Sequence, residues 1–259
     1  LASWTSLQNA AHAIQTVEEG ITGEGKTEES PITEICFKNE IEVRNLSFSF
    51  PDGDTVIRNF SLTIPRGQCL GIQGTSGSGK TTLFHLLLGF FPPTGGEICI
   101  DGTPLTTQNR ASWHKLVGYV PQDIFIIHGS LAENIALGQP HIDREKIQRV
   151  LKQVHLDEWL STLPEGIDTP LGEYGSRLSG GQKQRIGIAR ALYKEAEVLF
   201  FDEATSALDN ATESEITSAL EELSAQLHGI TLIIIAHRDS SLRFCDKIIN
   251  IENYCSSSL

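Results

Sequence analysis

The sequence has no methionine, no long apolar stretch and fewer basic than acidic residues. Without a start residue, the chain is expected to be a piece of a longer protein. Its longest unbroken apolar runs, such as residues 232–236, are far shorter than the roughly 20 residues that a membrane-spanning helix needs, and no signal peptide is visible. The net charge of −13 argues against a nucleic-acid groove and against an anionic membrane surface as a partner.

Cysteines are few and widely spaced, without a C-x-x-C pair: Cys36, Cys69, Cys99, Cys245 and Cys255. An odd number at such spacing is not typical of a disulfide framework or of a zinc site, and it predicts buried free thiols in a reducing compartment. A hydrophobic content of 39% with 20% charged residues is typical of a soluble globular protein. The 259 residues suffice for one large domain or two small ones.

Hydrophobic periodicity divides the chain into segments. Residues 1 to about 20 show the spacing of a helix, and a polar, Gly-rich stretch up to Pro31 has the composition of a linker. Short strands follow, and later strands alternate with helices. This order predicts an α/β fold in which a mainly parallel sheet is covered on both faces, with an antiparallel β subdomain and a helical insertion at about 123–180. Strands are expected at 41–43, 46–50, 56–64, 69–72, 98–100, 117–120, 198–201 and 231–236, and helices at 82–88, 143–163, 181–193 and 210–227.

Residues 74–81 match the phosphate-binding pattern G-x-x-x-x-G-K-[ST] in full. The glycines allow a sharp turn that points backbone N–H groups at phosphate oxygens. Lys80 supplies a charge to the β- and γ-phosphates, and the Thr81 hydroxyl can bind Mg²⁺. A strand precedes the loop and a helix follows, so the phosphates would lie at a helix N-terminus. The pattern predicts nucleoside triphosphate binding by Gly74, Thr75, Ser76, Gly77, Ser78, Gly79, Lys80, Thr81 and Thr82.

Two further motifs have both a functional and a plain structural interpretation. The strand at 198–201 ends in Asp202 and Glu203, which would bring Asp202 to Mg²⁺ and place Glu203 to polarise water. A pair of acids after a strand can equally cap the next helix. In Leu-Ser-Gly-Gly-Gln at 178–182, Ser179 and two glycines open a helix, as a helix cap or as a second anion site. A second site of this kind indicates that ATP is bound from two sides.

These motifs, taken in order, resemble the nucleotide-binding domain of ABC transporters over about residues 40–254. Gln122, the Ser-Ala-Leu-Asp segment at 206–209 and His237 after a strand complete the family's order. The resemblance implies that Gln122 contacts Mg²⁺ or the attacking water, that Glu203 is the general base and that His237 holds the γ-phosphate. It also implies contacts to nucleotide by Phe50 on adenine, by Ser179, Gly180, Gly181 and Gln182 on the ATP of the opposite subunit, and by Asp209 across the dimer interface.

Simpler interpretations of single positions remain open. His237 alone could be a strand-end residue, Gln122 a turn residue, and either Phe48 or Phe50 belongs to the core. Phe50 stands where exporters usually carry Tyr, and Tyr174 stands where they usually carry Arg. Neither departure removes a catalytic group, so we expect a site that can hydrolyse ATP.

Two classes of ABC protein compete. One is an exporter or flippase whose ATPase domain follows membrane helices in the same polypeptide; the other is a separate importer subunit or a soluble ABC ATPase. The segments 127–135 and 173–175 resemble exporter motifs and favour the first. Residues 1–38 would then be the end of a membrane-domain helix plus a linker, and 39–259 the ATPase domain. The resemblance implies a homodimer, or a pair with a homologous domain, closed around two ATP with Mg²⁺ at the cytoplasmic face of the cell membrane.

Overall fold

Two β-sheets organise the part of the chain that the computed structural model describes, residues 34–51, 53, 55–202, 217–218, 220–222, 229–236 and 239–254. One sheet has four antiparallel strands, and the other has five parallel strands. The α/β class and the division into a parallel and an antiparallel sheet are therefore confirmed. The helix and linker expected in residues 1–31 lie outside the described residues.

The antiparallel sheet contains β1 (Glu40–Ser49), β2 (Thr55–Pro65), β4 (Gly95–Ile100) and β5 (Thr103–Pro104), in the order β2-β1-β4-β5. We expected two strands where β1 forms one continuous strand. Its pairing shifts between Val43 and Leu46, and Asn45 has a φ of 47°. Asn tolerates this left-handed conformation better than most residues do, so the strand bulges there and continues.

The parallel sheet contains β3 (Cys69–Gln73), β6 (Val117–Val120), β7 (Val198–Asp202), β8 (Thr231–Ile235) and β9 (Lys247–Asn250), in the order β6-β7-β8-β3-β9. All residues of β7 and β8 are buried, which explains why both appear in the sequence as unbroken apolar runs. Strand β9 was not predicted, because a four-residue edge strand with only two apolar residues gives a weak pattern.

Six α-helices lie entirely within the described residues: α1 (Lys80–Leu87), α2 (Arg110–Leu116), α3 (Leu131–Ile135), α4 (Arg144–Gln153), α5 (Asp157–Ser161) and α6 (Gly180–Tyr193). The single helix expected at 143–163 is wrong. His155 has a φ of 54°, and this left-handed residue ends α4 before α5 begins. Of the helix expected at 210–227, residues 217–218 and 220–222 are helical. Within the described residues, none of the helices combines the length and the apolarity needed to cross a bilayer.

Apolar side chains cover both faces of the parallel sheet. Leu199 and Phe201 of β7 belong to a cluster that includes residues of α3, α4 and α6. Val198 and Phe200 point into a second cluster, formed with α1, α2 and the antiparallel sheet. Alternate residues of one strand thus enter two cores, as the prediction of a doubly covered sheet requires. The two cores together hold the parallel strands in place, and with them the edge of the sheet at which the carboxyl ends of these strands lie.

Candidate functional site

The phosphate-binding loop predicted at 74–81 leads from the end of β3 directly into α1. Gly79 is the residue before the helix and has a φ of 84°. A Cβ there would lie 2.9 Å from Cγ1 of Val56 on β2, whereas a Cβ at Gly77 (φ 81°) would meet no atom within 4 Å. Glycine at 79 therefore serves both the backbone turn and the close approach of β2. The first turn of α1 contains no acidic residue, so the partial positive charge of this helix end is not offset there.

Lys80 lies across the start of this loop. Its side chain is buried, and Nζ donates hydrogen bonds of 2.9 Å to the carbonyl oxygens of Gly74 and Thr75. Both acceptors are neutral backbone carbonyl oxygens and not carboxylates. The loop thus places a buried cation beside the N-terminus of α1, an arrangement that suits a phosphate group.

Glu252 supports the loop from the segment after β9. Its Oε1 accepts a 2.6 Å hydrogen bond from the backbone N–H of Thr75, and its own N–H donates to Oδ1 of Asn250 at 2.9 Å. The backbone N–H of Thr75 is the main cause that holds the pKa of Glu252 below its usual value. Sequence reasoning missed Glu252, since it lies 177 positions from Thr75 and follows the unpredicted strand β9.

Asp202 and Gln122 lie at the same edge of the parallel sheet as the loop, because the carboxyl ends of parallel strands share one edge. Asp202 ends β7 with 8% of its surface exposed, and Oδ2 accepts a 3.2 Å hydrogen bond from the hydroxyl of Tyr119 on β6. Burial, followed by the charge of Asp202, raises the pKa of Tyr119. Gln122 is exposed just beyond β6, and its carbonyl accepts a 2.6 Å hydrogen bond from Gln184 of α6. Neither Tyr119 nor Gln184 was predicted, and no local pattern marks them.

The Leu-Ser-Gly-Gly-Gln segment forms the start of α6. Ser179 is the N-cap residue: its Oγ accepts from the N–H of Gln182 at 3.2 Å, and Oε1 of Gln182 accepts from the N–H of Ser179 at 2.9 Å. The capping interpretation is thus confirmed for Ser179 and Gln182. The capping box engages the N–H groups of these two residues and not those of Gly180 and Gly181 between them. Ser179 and Gly181 line a cavity of about 270 Å³ with residues of 155–159 and 182–185.

Phe50 follows β1 at the tip of the hairpin that β1 forms with β2. Phe48 is buried and Phe50 is 43% exposed, with their ring centroids 4.9 Å apart in an edge-to-face contact. Phe91 packs against both rings. Of the two aromatic residues, Phe48 is therefore the core residue. Ser49 pairs with Thr55 at this end of the hairpin, and Val56, which follows Thr55, lies against Gly79. The hairpin tip is therefore close to the phosphate-binding loop.

The remaining predicted positions divide into two groups. Thr75, Ser76, Gly77 and Thr81 are exposed along the loop and the start of α1, while Gly74 and Thr82 are half-buried and Ser78 is buried. Glu203, Asp209 and His237 lie outside the described residues. Among the residues that are described, no group of three or more His, Cys, Asp or Glu side chains is placed to hold a metal ion.

Comparison with known proteins places this geometry in a family. The model of the ABC transporter family matches residues 57–206. This chain belongs to the ABC transporter family. It is 43% identical over 216 residues to the ATP-dependent lipid A-core flippase of Saccharophagus degradans, covering 83% of this chain and 36% of the flippase. It is 41% identical over 216 residues to the uncharacterized ABC transporter ATP-binding protein YwjA of Bacillus subtilis, covering 83% of this chain and 37% of that protein.

A solved structure supports the same assignment. The structure of a bacterial Atm1-family ABC exporter with ATP bound matches with a TM-score of 0.76 and 33% identity, covering 87% of this chain and 39% of that one. The ABC transporter resemblance inferred from the motifs is therefore confirmed, and two of these relatives are a flippase and an exporter. The chain spans well under half the length of these relatives.

Proposed function

We propose that this chain is the ATP-binding and ATP-hydrolysing domain of an ABC exporter or flippase, and that two copies close around two ATP molecules to power transport across a membrane. The observation that carries the proposal is the edge of the parallel sheet, where the loop with its buried Lys80, the carboxylate of Asp202 and the exposed Gln122 occur together. The named flippase and exporter relatives support the transport class.

The described residues fit a nucleotide with a divalent cation. The space beside Gly77 is open where a side chain would project, and the N-terminus of α1 favours an anion. The hydroxyl of Thr81 and the carboxylate of Asp202 are oxygen ligands of the kind that Mg²⁺ prefers, and we assign Gln122 to the same cation or to the attacking water. Phe50, exposed at the hairpin tip, offers a ring face for adenine.

Each side chain then has one task in the reaction. Lys80 turns from the carbonyl oxygens of Gly74 and Thr75 toward phosphate oxygens and neutralises their charge. Glu203 accepts the proton of the attacking water, and His237 donates a hydrogen bond to the γ-phosphate; we assign both by their positions in the sequence. A bound Mg²⁺ would supply further stabilisation of the phosphate charge.

The second half of each nucleotide site would come from a partner subunit. Ser179, Gly180, Gly181 and Gln182 form the start of α6. The cavity beside Ser179, Gly181 and Gln182 is lined by residues of the helical segments and not by the phosphate-binding loop. We therefore assign this helix end, together with Asp209, to the ATP held by the loop of a second copy. Residues 1–38 would join this domain to a membrane domain upstream, with the ATPase domain at the cytoplasmic face of the membrane.

A complementation experiment tests the two-sided site. Lys80→Ala removes the cation of the loop, and Ser179→Asp keeps a helix N-cap while placing a negative charge where the phosphate would bind. Each variant alone should have lost ATPase activity. An equal mixture should recover about a quarter of the wild-type rate, since half of randomly formed dimers are mixed and each has one working site.

Ser179→Asn is the matched control, because Asn is a neutral N-cap residue of nearly the same shape as Asp. Its thermal stability should equal that of Ser179→Asp, and its ATPase activity should be far higher. An inactive mixture beside an active wild type would contradict the shared site. Hydrolysis itself is tested by Glu203→Gln, which should slow ATP turnover about 10²–10⁴-fold without loss of ATP binding in calorimetry.

A further inference from the structure

Two of the cysteines contact each other. The Sγ atoms of Cys69 and Cys245 are 3.2 Å apart, although the residues are 176 positions apart in the sequence. Cys69 is the first residue of β3 and is buried, and Cys245 stands two residues before β9 and is partly exposed. Both side chains pack against the same apolar cluster. The contact thus joins the edge strand β9 to the strand that carries the phosphate-binding loop.

Asp246 holds the two cysteines together through the backbone. Its N–H donates to the carbonyl oxygen of Cys69 at 2.9 Å, and its Oδ2 accepts from the N–H of Cys69 at 2.8 Å. Beyond this point the strands pair in register from Leu70 with Lys247 to Gln73 with Asn250. These backbone hydrogen bonds hold the two thiols beside each other. A disulfide, with an S–S length of about 2.05 Å, needs the sulfur atoms to approach by only roughly 1 Å.

We propose that Cys69 and Cys245 are a redox-modification site that forms a reversible disulfide when the protein meets a peroxide. Nothing in the proposed ATPase mechanism uses either thiol, so this site is separate from the nucleotide chemistry. The other cysteines with described side chains offer no such pair: Cys99 is fully buried in the antiparallel sheet, and Cys36 is exposed.

The exposure of the two thiols assigns their roles. Cys245 is the accessible one, so its thiolate attacks the peroxide O–O bond and becomes a sulfenic acid while hydroxide leaves and takes a proton to form water. Cys69 then attacks that sulfur, and its own proton leaves with the sulfenic hydroxyl as a second water molecule. Two thiols are oxidised and one peroxide is reduced to two waters. The hydrogen bond with Cys245, together with burial, raises the pKa of the Cys69 thiol, which disfavours its thiolate and leaves the first attack on the peroxide to Cys245.

The disulfide would fasten one end of the β3–β9 pair. At the other end, Gln73 leads into the phosphate-binding loop, and Glu252 just beyond β9 accepts the hydrogen bond from Thr75. Among the described strands, β9 is the last of the sheet and pairs with β3 alone, and an edge strand is the one most easily detached. A disulfide that closes so long a chain segment should stabilise the folded protein against unfolding.

The test uses the 259-residue chain with Cys36→Ser and Cys255→Ser, in which only Cys69, Cys99 and Cys245 remain. Hydrogen peroxide is added under native conditions, remaining thiols are blocked, and peptides are identified by mass spectrometry without reduction. We expect a linked Cys69–Cys245 peptide, a mass loss of about 2 Da, one remaining thiol and full reversal by dithiothreitol. The melting temperature should rise by about 5 °C or more and return on reduction.

Two further chains make the result specific. Cys99→Ala should still form the link, while Cys245→Ser should keep both remaining thiols and show no rise in melting temperature. The proposal is overturned if peroxide treatment of the folded chain gives oxidised Cys245 without any disulfide, or a disulfide that involves Cys99 instead. A link that leaves the melting temperature unchanged overturns its structural consequence. These readouts need no ATP, so they stand apart from the ATPase proposal.

Discussion

Gly77 and Gly79 allow a sharp test of how β2 supports the phosphate-binding loop. Both have a left-handed backbone, with φ values of 81° and 84°. They differ in surroundings: a Cβ at Gly79 would lie 2.9 Å from Cγ1 of Val56, and a Cβ at Gly77 would meet nothing within 4 Å. Gly77→Ala and Gly79→Ala therefore share the backbone strain, and only the second adds a clash.

The magnitudes follow from these two terms. A left-handed conformation costs an ordinary residue about 1–2 kcal/mol, and restricting the unfolded chain returns about 0.4–1 kcal/mol. Both contributions are common to the two variants and cancel in their difference. The clash with Val56 costs about 1–3 kcal/mol. We thus expect Gly79→Ala to lower the free energy of unfolding by about 1–3 kcal/mol more than Gly77→Ala does.

Urea unfolding without nucleotide measures this difference, and a double-mutant cycle identifies its cause. Val56→Ala removes the clashing methyl groups, so the double variant with Gly79→Ala should be more stable than the sum of the single effects predicts. The same cycle with Gly77→Ala should be additive. Equal losses for the two glycine variants, or additivity in the Val56 cycle with Gly79, would refute the argument that β2 limits this position.

Three further predictions concern the framework around the site. Burial raises the pKa of the Asp101 carboxyl, but hydrogen bonds from three backbone amides outweigh burial and lower this pKa. Asp101→Asn should therefore lower the free energy of unfolding by about 1–3 kcal/mol at neutral pH. The difference in stability between the two chains should vanish as the pH falls through the folded-state pKa of Asp101. Trp113 is fully buried and donates to the Leu87 carbonyl at 2.9 Å, so Trp113→Phe should lower the unfolding free energy by about 2–4 kcal/mol. The Arg190 guanidinium donates hydrogen bonds to both the backbone carbonyl and the Oδ1 of Asn134. The ammonium group of Arg190→Lys cannot make both bonds in this geometry, so limited proteolysis within residues 123–135 should become faster.

The motifs could be identified from the sequence because their chemistry depends on residues that are adjacent in the chain. A phosphate-binding loop is built from eight consecutive residues, and its glycines, lysine and flanking apolar strand are visible without any long-range contact. The buried strands β7 and β8 were equally clear, since a strand covered on both faces must be apolar throughout. The short edge strand β9 and the break at His155 were missed, because each depends on a few residues with weak local preference.

What the sequence by itself determined was the family, the α/β class and the residues of each motif. The tertiary structure alone decided which distant groups meet: Glu252 with Thr75, Tyr119 with Asp202, and Cys69 with Cys245. These contacts depend on the strand order β6-β7-β8-β3-β9, in which neighbours in space are far apart in the chain. Periodicity reports whether a residue faces a core, but carries no information on which strand lies beside it, because every buried strand shows the same apolar pattern.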